Sequence, residues 1–281
     1  MANRSLTIFE KELSELSQKI APLEWASARK NLGYALVTLG QEKSDIDILK
    51  RSIEDIEDEL QGCNPEETLE EWVALQADYA AALNALGQLD TGATISILNE
   101  AMEAYKSILP VLKRQEAPLE WALLLHNIGR VSQDLGEYSK GSRTLERSIS
   151  AYNNALTQRT SNVVPLEWAI TQNNIAVSLQ ILGEIQQDAD ILKESVASYS
   201  NAYKKVVQEK HPMAWVITTS NLGRARTILA EQINDIEIAR QAVNNFTEIV
   251  EFFREAENSR YLELAEQSLE KAQAVIKKIA G

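Results

Sequence analysis

The sequence predicts an all-α protein, an α-α superhelix of about five helix pairs with a capping helix at each end. Three observations carry that prediction. All five tryptophans, Trp25, Trp72, Trp121, Trp168 and Trp215, recur at spacings of 47, 49, 47 and 47 residues. Six residues after each comes Asn31, Asp78, Asn127, Asn174 or Asn221, then a large apolar residue and a Gly or Ala, and later a Leu-Gly or Leu-Ala pair. A second series follows in every unit: Ser52, Ala101, Ser148, Ser195 or Ala242, with Ile56, Tyr105, Tyr152, Tyr199 or Phe246 four positions on. Self-similarity at such a period marks a repeat array, in which each unit buries its apolar face against its neighbours.

Within a unit the first helix opens at Pro22, Pro118, Pro165 or Pro212, since proline suits the first helical position, where no N–H is needed. Glu24, Glu120 and Glu167 follow in the first turn, where a carboxylate meets the positive end of the helix dipole. The stripe Trp168, Gln172, Ile175, Leu179, Leu182 runs at steps of four and three, as one buried helix face does. Gly40, Gly87, Gly136 and Gly183 read as left-handed C-terminal caps. The second helix carries a small residue for close approach, and a ring one turn further along the same face.

Taken in order, residues 5–20 form a lone helix with Leu6, Phe9, Leu13, Leu16 and Ile20 on one side, an N-terminal cap. Repeats follow at 22–62, 64–113, 117–160, 164–209 and 211–256, in a single domain spanning 1–281. The second unit should start its helix early, because Asn64-Pro65-Glu66-Glu67 is a cap, proline and acid run. Its two extra residues fall near Asp90-Thr91-Gly92, a loop sequence. The fifth has Ala230 in place of glycine, so its turn should be less sharply defined. Residues 258–280 lack the tryptophan motif and form a C-terminal capping helix, with Tyr261, Leu264, Ala265, Leu269, Ala272, Val275 and Ile276 on its apolar face.

These residues resemble the tetratricopeptide repeat family. Ser148-Tyr152-Ala155 and Ser195-Tyr199-Ala202 match the second half of its signature, and Leu32-Gly33 and Leu222-Gly223 the first. The unit is longer, 47 residues against about 34, and Asn173-Asn174-Ile175-Ala176 is most similar to the long-helix repeats of kinesin light chains and related bacterial arrays. The resemblance implies a solenoid with a concave groove, in which asparagines at the ladder position bind a peptide's backbone.

Composition narrows the function. A net charge of −13 and a pI near 4.8 speak against nucleic acid and against an anionic membrane surface, both of which call for a basic stripe. Cys63 is the only cysteine, so neither an intramolecular disulfide nor a cysteine cluster for zinc can form. With two histidines, His126 and His211, and no metal-ligand spacing, no metal or cofactor is expected. The N-terminus lacks a signal-peptide core and no stretch spans a bilayer, so a cytoplasmic location is expected. No catalytic motif occurs: no nucleophile elbow, phosphate loop or dinucleotide fingerprint.

The tryptophans read as core rather than as a ligand box. The Asn/Asp ladder is more informative, because these residues are poor helix formers in an interior position. One reason for them is hydrogen bonding between helices; the other is a peptide's main chain, which an amide can both donate to and accept from. Around Asn31, Asp78, Asn127, Asn174 and Asn221 lie Lys30, Tyr34, His126, Arg130, Asn173 and Arg224, which lean positive despite the acidic total. The expected activity is that of a non-enzymatic scaffold or adaptor, gripping a peptide or partner protein with acidic side chains or a C-terminal carboxylate. The alternative is a regulatory sensor whose superhelix closes on a small peptide or metabolite.

Overall fold

The computed structural model describes residues 44–281. The expected N-terminal helix and most of the first repeat, with Trp25, Lys30, Asn31, Tyr34 and Gly40, lie outside the described residues. The described residues form ten α-helices and no strand. The chain divides into two compact units, Met1–Ser139 and Lys140–Gly281. The first holds α1 (Ile46–Gly62), α2 (Leu69–Leu89), α3 (Thr94–Ile108) and α4 (Pro118–Ser139). The second holds α5 (Ser142–Leu156), α6 (Pro165–Gln186), α7 (Ala189–Tyr203), α8 (Pro212–Ile233), α9 (Ile236–Glu255) and α10 (Ser259–Ala280). The even-numbered helices, tryptophan-bearing in α2, α4, α6 and α8, are the leading helices, and the odd-numbered ones the trailing helices.

Each leading helix starts in the same register. α4, α6 and α8 open on Pro118, Pro165 and Pro212, three residues before their tryptophans, as expected. α2 opens on Leu69, also three before Trp72, and not early. The acidic run before it is spent on a separate turn: Thr68 N–H donates to Asn64 O (2.8 Å) and Glu66 N–H to Asn64 Oδ1 (3.1 Å). The same turn precedes the others, with Ala117 bonded to Lys113 O, Val164 to Thr160 O and His211 to Val207 O at 2.8–3.0 Å.

The leading helices end later than the Leu-Gly pairs, which corrects the reading of those glycines. Gly87, Gly136 and Gly183 lie inside α2, α4 and α6, and no described glycine has a positive φ. The left-handed position is taken instead by Lys140 (φ 51°), Gln187 (φ 54°) and Asn234 (φ 54°). Asp188 and Asp235 follow, and each carboxylate accepts two N–H groups of the next helix. A two-residue connector thus stops one helix and starts another. The fifth turn is as sharp as the fourth, because Ala230 was never its cap. The expected extra loop is present, Asp90 to Ala93 between α2 and α3.

The glycines serve packing. A Cβ on Gly183 would lie 2.9 Å from Leu192 Cγ, and one on Gly87 2.8 Å from Leu98 Cδ2. Ala230 faces Ala239 in the corresponding place, both buried. The predicted small-residue series, Ser52, Ala101, Ser148, Ser195 and Ala242, is fully buried, and the large residues four positions on are at most 6% exposed. Ser195 Oγ donates to Ala176 O across the helix pair (2.7 Å). The tryptophans are less uniform than expected. Trp215 is buried and packs on Phe252 (5.6 Å), whereas Trp72, Trp121 and Trp168 are half-buried. Arg114 lies over the Trp121 ring at 5.0 Å.

α10 packs on α8 and α9 through Ala265, Ala272 and Val275, and Lys278 pairs with Glu231 of α8 (2.6 Å). Tyr261 and Leu264, expected on its apolar face, are exposed. Tyr261 stacks on Phe253 at 5.3 Å.

Candidate binding face

Leading helices sit side by side within each unit, α2 with α4, and α6 with α8 and α8 with α10. Residues one repeat apart therefore come to equivalent places on neighbouring helices. Positions four apart on a helix share a face, so Ile170 lies one turn before Asn174 and Ile217 one turn before Asn221. The series continues into α10: Leu264, Ser268 and Lys271 stand 47 residues after Ile217, Asn221 and Arg224. Leu262 takes the tryptophan position there. This continuation escaped the sequence reading, which was anchored on tryptophan; a comparison at a fixed 47-residue offset would have revealed it.

In the second unit the ladder is hydrogen-bonded. Asn221 Nδ2 donates to Asn173 Oδ1, and Asn173 Nδ2 to Asn174 Oδ1, both at 3.3 Å. Asn173 is buried, Asn174 and Asn221 are half-buried, and Arg224 is exposed. The bond uses one of the two donors on Asn221. Ser220, Asn221, Arg224, Thr227 and Ile228 of α8, Phe246 of α9, and Ser268 and Lys271 of α10 line an open cavity of about 380 Å³. No acidic residue is among them. Three members of an aliphatic row stand beside these polar positions: Ile170, Ile217 and Leu264, 40%, 50% and 52% exposed.

In the first unit Asp78, Asn127 and Arg130 are half-buried, and His126 is buried at 6% exposure rather than open to a groove. Arg130 and Asp78 both bear on the Tyr105 phenol. Burial pushes that phenol well above its ordinary value, Arg130 pulls against the shift, and Asp78 adds to it. Tyr199 repeats the pattern in the second unit, raised by burial and opposed by Arg224. Tyr105 to Arg130, Tyr199 to Arg224 and Phe246 to Lys271 are each 25 residues apart. The cation of one leading helix thus sits by the ring of the trailing helix before it.

Two polar clusters of the first unit were not legible in the sequence. Tyr79 Oη lies 2.7 Å from Glu57 Oε1 and 2.6 Å from Glu100 Oε1, tying α2 to α1 and α3. Burial raises this phenol's pKa, and the two carboxylates add to the rise. Asp134 Oδ2 accepts from Asn84 Nδ2 (2.7 Å) and Gln88 Nε2 (2.8 Å), joining α4 to α2. It borders a cavity of about 290 Å³ with Tyr138, whose hydroxyl donates to Thr91 O.

Among the described residues no group of His, Cys, Asp and Glu could hold a metal ion, and no helix is long and apolar enough to cross a membrane. The architecture is that of a helical-repeat array. No family model matches the chain, and no curated protein matches it. Among solved structures it is similar to BtubC (BKLC) from P. vanneervenii, at 14% identity and a TM-score of 0.48, over 100% of this chain and 92% of that one. A DHF58 filament (17% identity, TM-score 0.19, 99% and 96% covered) and a computationally designed cyclic homooligomer (16%, 0.17, 99% and 93%) are also similar.

Proposed function

We propose that this chain is a non-enzymatic protein-interaction scaffold of long-helix tetratricopeptide type, acting in the cytoplasm. It holds an extended polypeptide segment across the neighbouring leading helices of a unit. In the second unit Asn174 and Asn221 meet the segment's main chain and Arg224 supplies charge; Asp78, Asn127 and Arg130 are the corresponding positions of the first. Lys30, Asn31 and Tyr34 belong to the same register in the sequence.

The single observation behind this reading is the composition of one face in consecutive helices. Large aliphatic residues recur there in register (Ile170, Ile217 and Leu264), with amides on α6 and α8 (Asn174 and Asn221) and cations on α8 and α10 (Arg224 and Lys271), and all stay at least partly accessible to solvent. Ile170 and Ile217 stand beside the amides 40% and 50% exposed, apolar surface open to a partner's side chains. Backbone recognition suits the amides, because a peptide's N–H and C=O groups then stay paired when water is excluded. No cofactor or metal enters this activity.

The test is selection of a random-peptide library on the whole chain, with counter-selection on an Asn174→Ala/Asn221→Ala variant. The expected result is a set of peptides enriched on the parent and lost on the variant, while the variant's melting point shows it folded. Peptides retained equally by both would move the site elsewhere. Equal retention with early melting of the variant would make the ladder structural.

A further inference from the structure

We propose that the face formed by α8 and α10 selects a segment in which aliphatic and acidic side chains alternate. This rests on the peptide-binding reading above and extends it to the chemistry of the partner and to α10. Along α8, Ile217, Asn221 and Arg224 occupy three successive levels, spread over about 10 Å at a rise of 1.5 Å per residue. Along α10 the same levels hold Leu264, Ser268 and Lys271. The face is therefore layered: an aliphatic strip, a strip of hydrogen-bonding groups, and a cationic strip.

An extended chain crossing these helices over the middle strip has its own matching geometry. Its main-chain groups point toward and away from the floor, and its side chains point alternately to either side. One set of side chains then lies on Ile217 and Leu264, both about half exposed. The other set reaches Arg224 and Lys271, which border one cavity with no acidic residue in its lining. Charge complementarity decides the second set. In a chain of net charge −13, two cations bordering one cavity whose lining holds no carboxylate suit an anionic side chain. The long stems of arginine and lysine take up differences between the repeat spacing and the strand spacing.

The experiment uses the full chain and fluorescent eight-residue peptides with acetylated and amidated ends. One alternates leucine with glutamate, one leucine with lysine, and one serine with glutamate. The leucine–glutamate peptide should bind best, with the other two at least about tenfold weaker. Arg224→Glu with Lys271→Glu should invert the preference toward the lysine peptide. Ile217→Asp with Leu264→Asp should abolish the advantage of leucine over serine. All four positions are exposed, and circular dichroism confirms folding of each variant. If the lysine or serine peptide binds as well as leucine–glutamate, and Asn174→Ala/Asn221→Ala removes that binding, the alternation is wrong and the groove reading stands. A fourth peptide repeats the leucine–glutamate sequence with a free C-terminal carboxylate; if it alone binds, the cavity takes a chain end and the proposal fails. If no peptide of any composition binds, both readings fail.

Discussion

At the scale of single residues, the same amino acid serves two purposes, and the neighbour decides which. Gly183 reads as a helix cap in the sequence but lies mid-helix against Leu192, with the Leu192 main-chain nitrogen only 3.2 Å from where a Cβ would stand. Gly183→Ala should gain helix propensity of about 1 kcal/mol yet lose about 1–3 kcal/mol to overpacking, for a net loss in urea denaturation. Adding Leu192→Ala, which reproduces the Ala230–Ala239 pairing, should make the second change cost less in the Gly183→Ala background than in the parent. Additive effects would refute the contact. Asp134 gives a second test. Burial raises its carboxyl pKa above the ordinary 3.8, the Gln88 bond and Arg130 pulling the other way. A raised folded-state value means that its contribution to stability is full below the unfolded value and is lost as pH rises through the folded one. Asp134→Asn keeps an acceptor for Asn84 and Gln88 without the buried charge. Its melting point relative to the parent should rise between pH 4 and pH 7, and a fall over that range would contradict the account.

At the scale of elements, helix starts were legible and helix ends were not. Proline at the first position is a local signal, and α4, α6 and α8 obey it. The ends depend on Lys140, Gln187 and Asn234 in left-handed conformation, and two of these three residue types give no hint of it. The hint lay one residue on, in the capping Asp188 and Asp235. A left-handed turn strains a residue with a Cβ by about 1–2 kcal/mol, asparagine less. Gln187→Gly should therefore stabilise by about 1 kcal/mol, after the entropy glycine costs the folded state, and Asn234→Gly by less. The Gln187 carbonyl, which accepts from Gln232 (2.8 Å), is untouched by the change. Urea midpoints of the two variants check the order, and a destabilised Gln187→Gly would contradict it.

At the scale of the whole molecule, the repeat carries most of what could be read in advance. Identity at fixed offsets exposed the Asn ladder, the small-residue series and the rings behind them. Anchoring the offsets on tryptophan hid the Ser268 and Lys271 positions of α10, where Leu262 replaces it, and the aliphatic row stands out only through its exposure in the fold. Nor could it show that His126 and Asn173 are buried, since burial depends on which neighbour covers a face. The central claim is that the face shared by α6, α8 and α10 binds polypeptide. Calorimetric titration of one selected peptide into three proteins tests it: the parent, Asn174→Ala/Asn221→Ala, and a matched pair on the exposed side of α7, Lys193→Ala/Glu194→Ala. The account predicts a loss of about 1–3 kcal/mol for the ladder pair, from main-chain groups left unpaired, and parental affinity for the α7 pair. Equal affinities in all three proteins, or an equal loss in both variants, would contradict it.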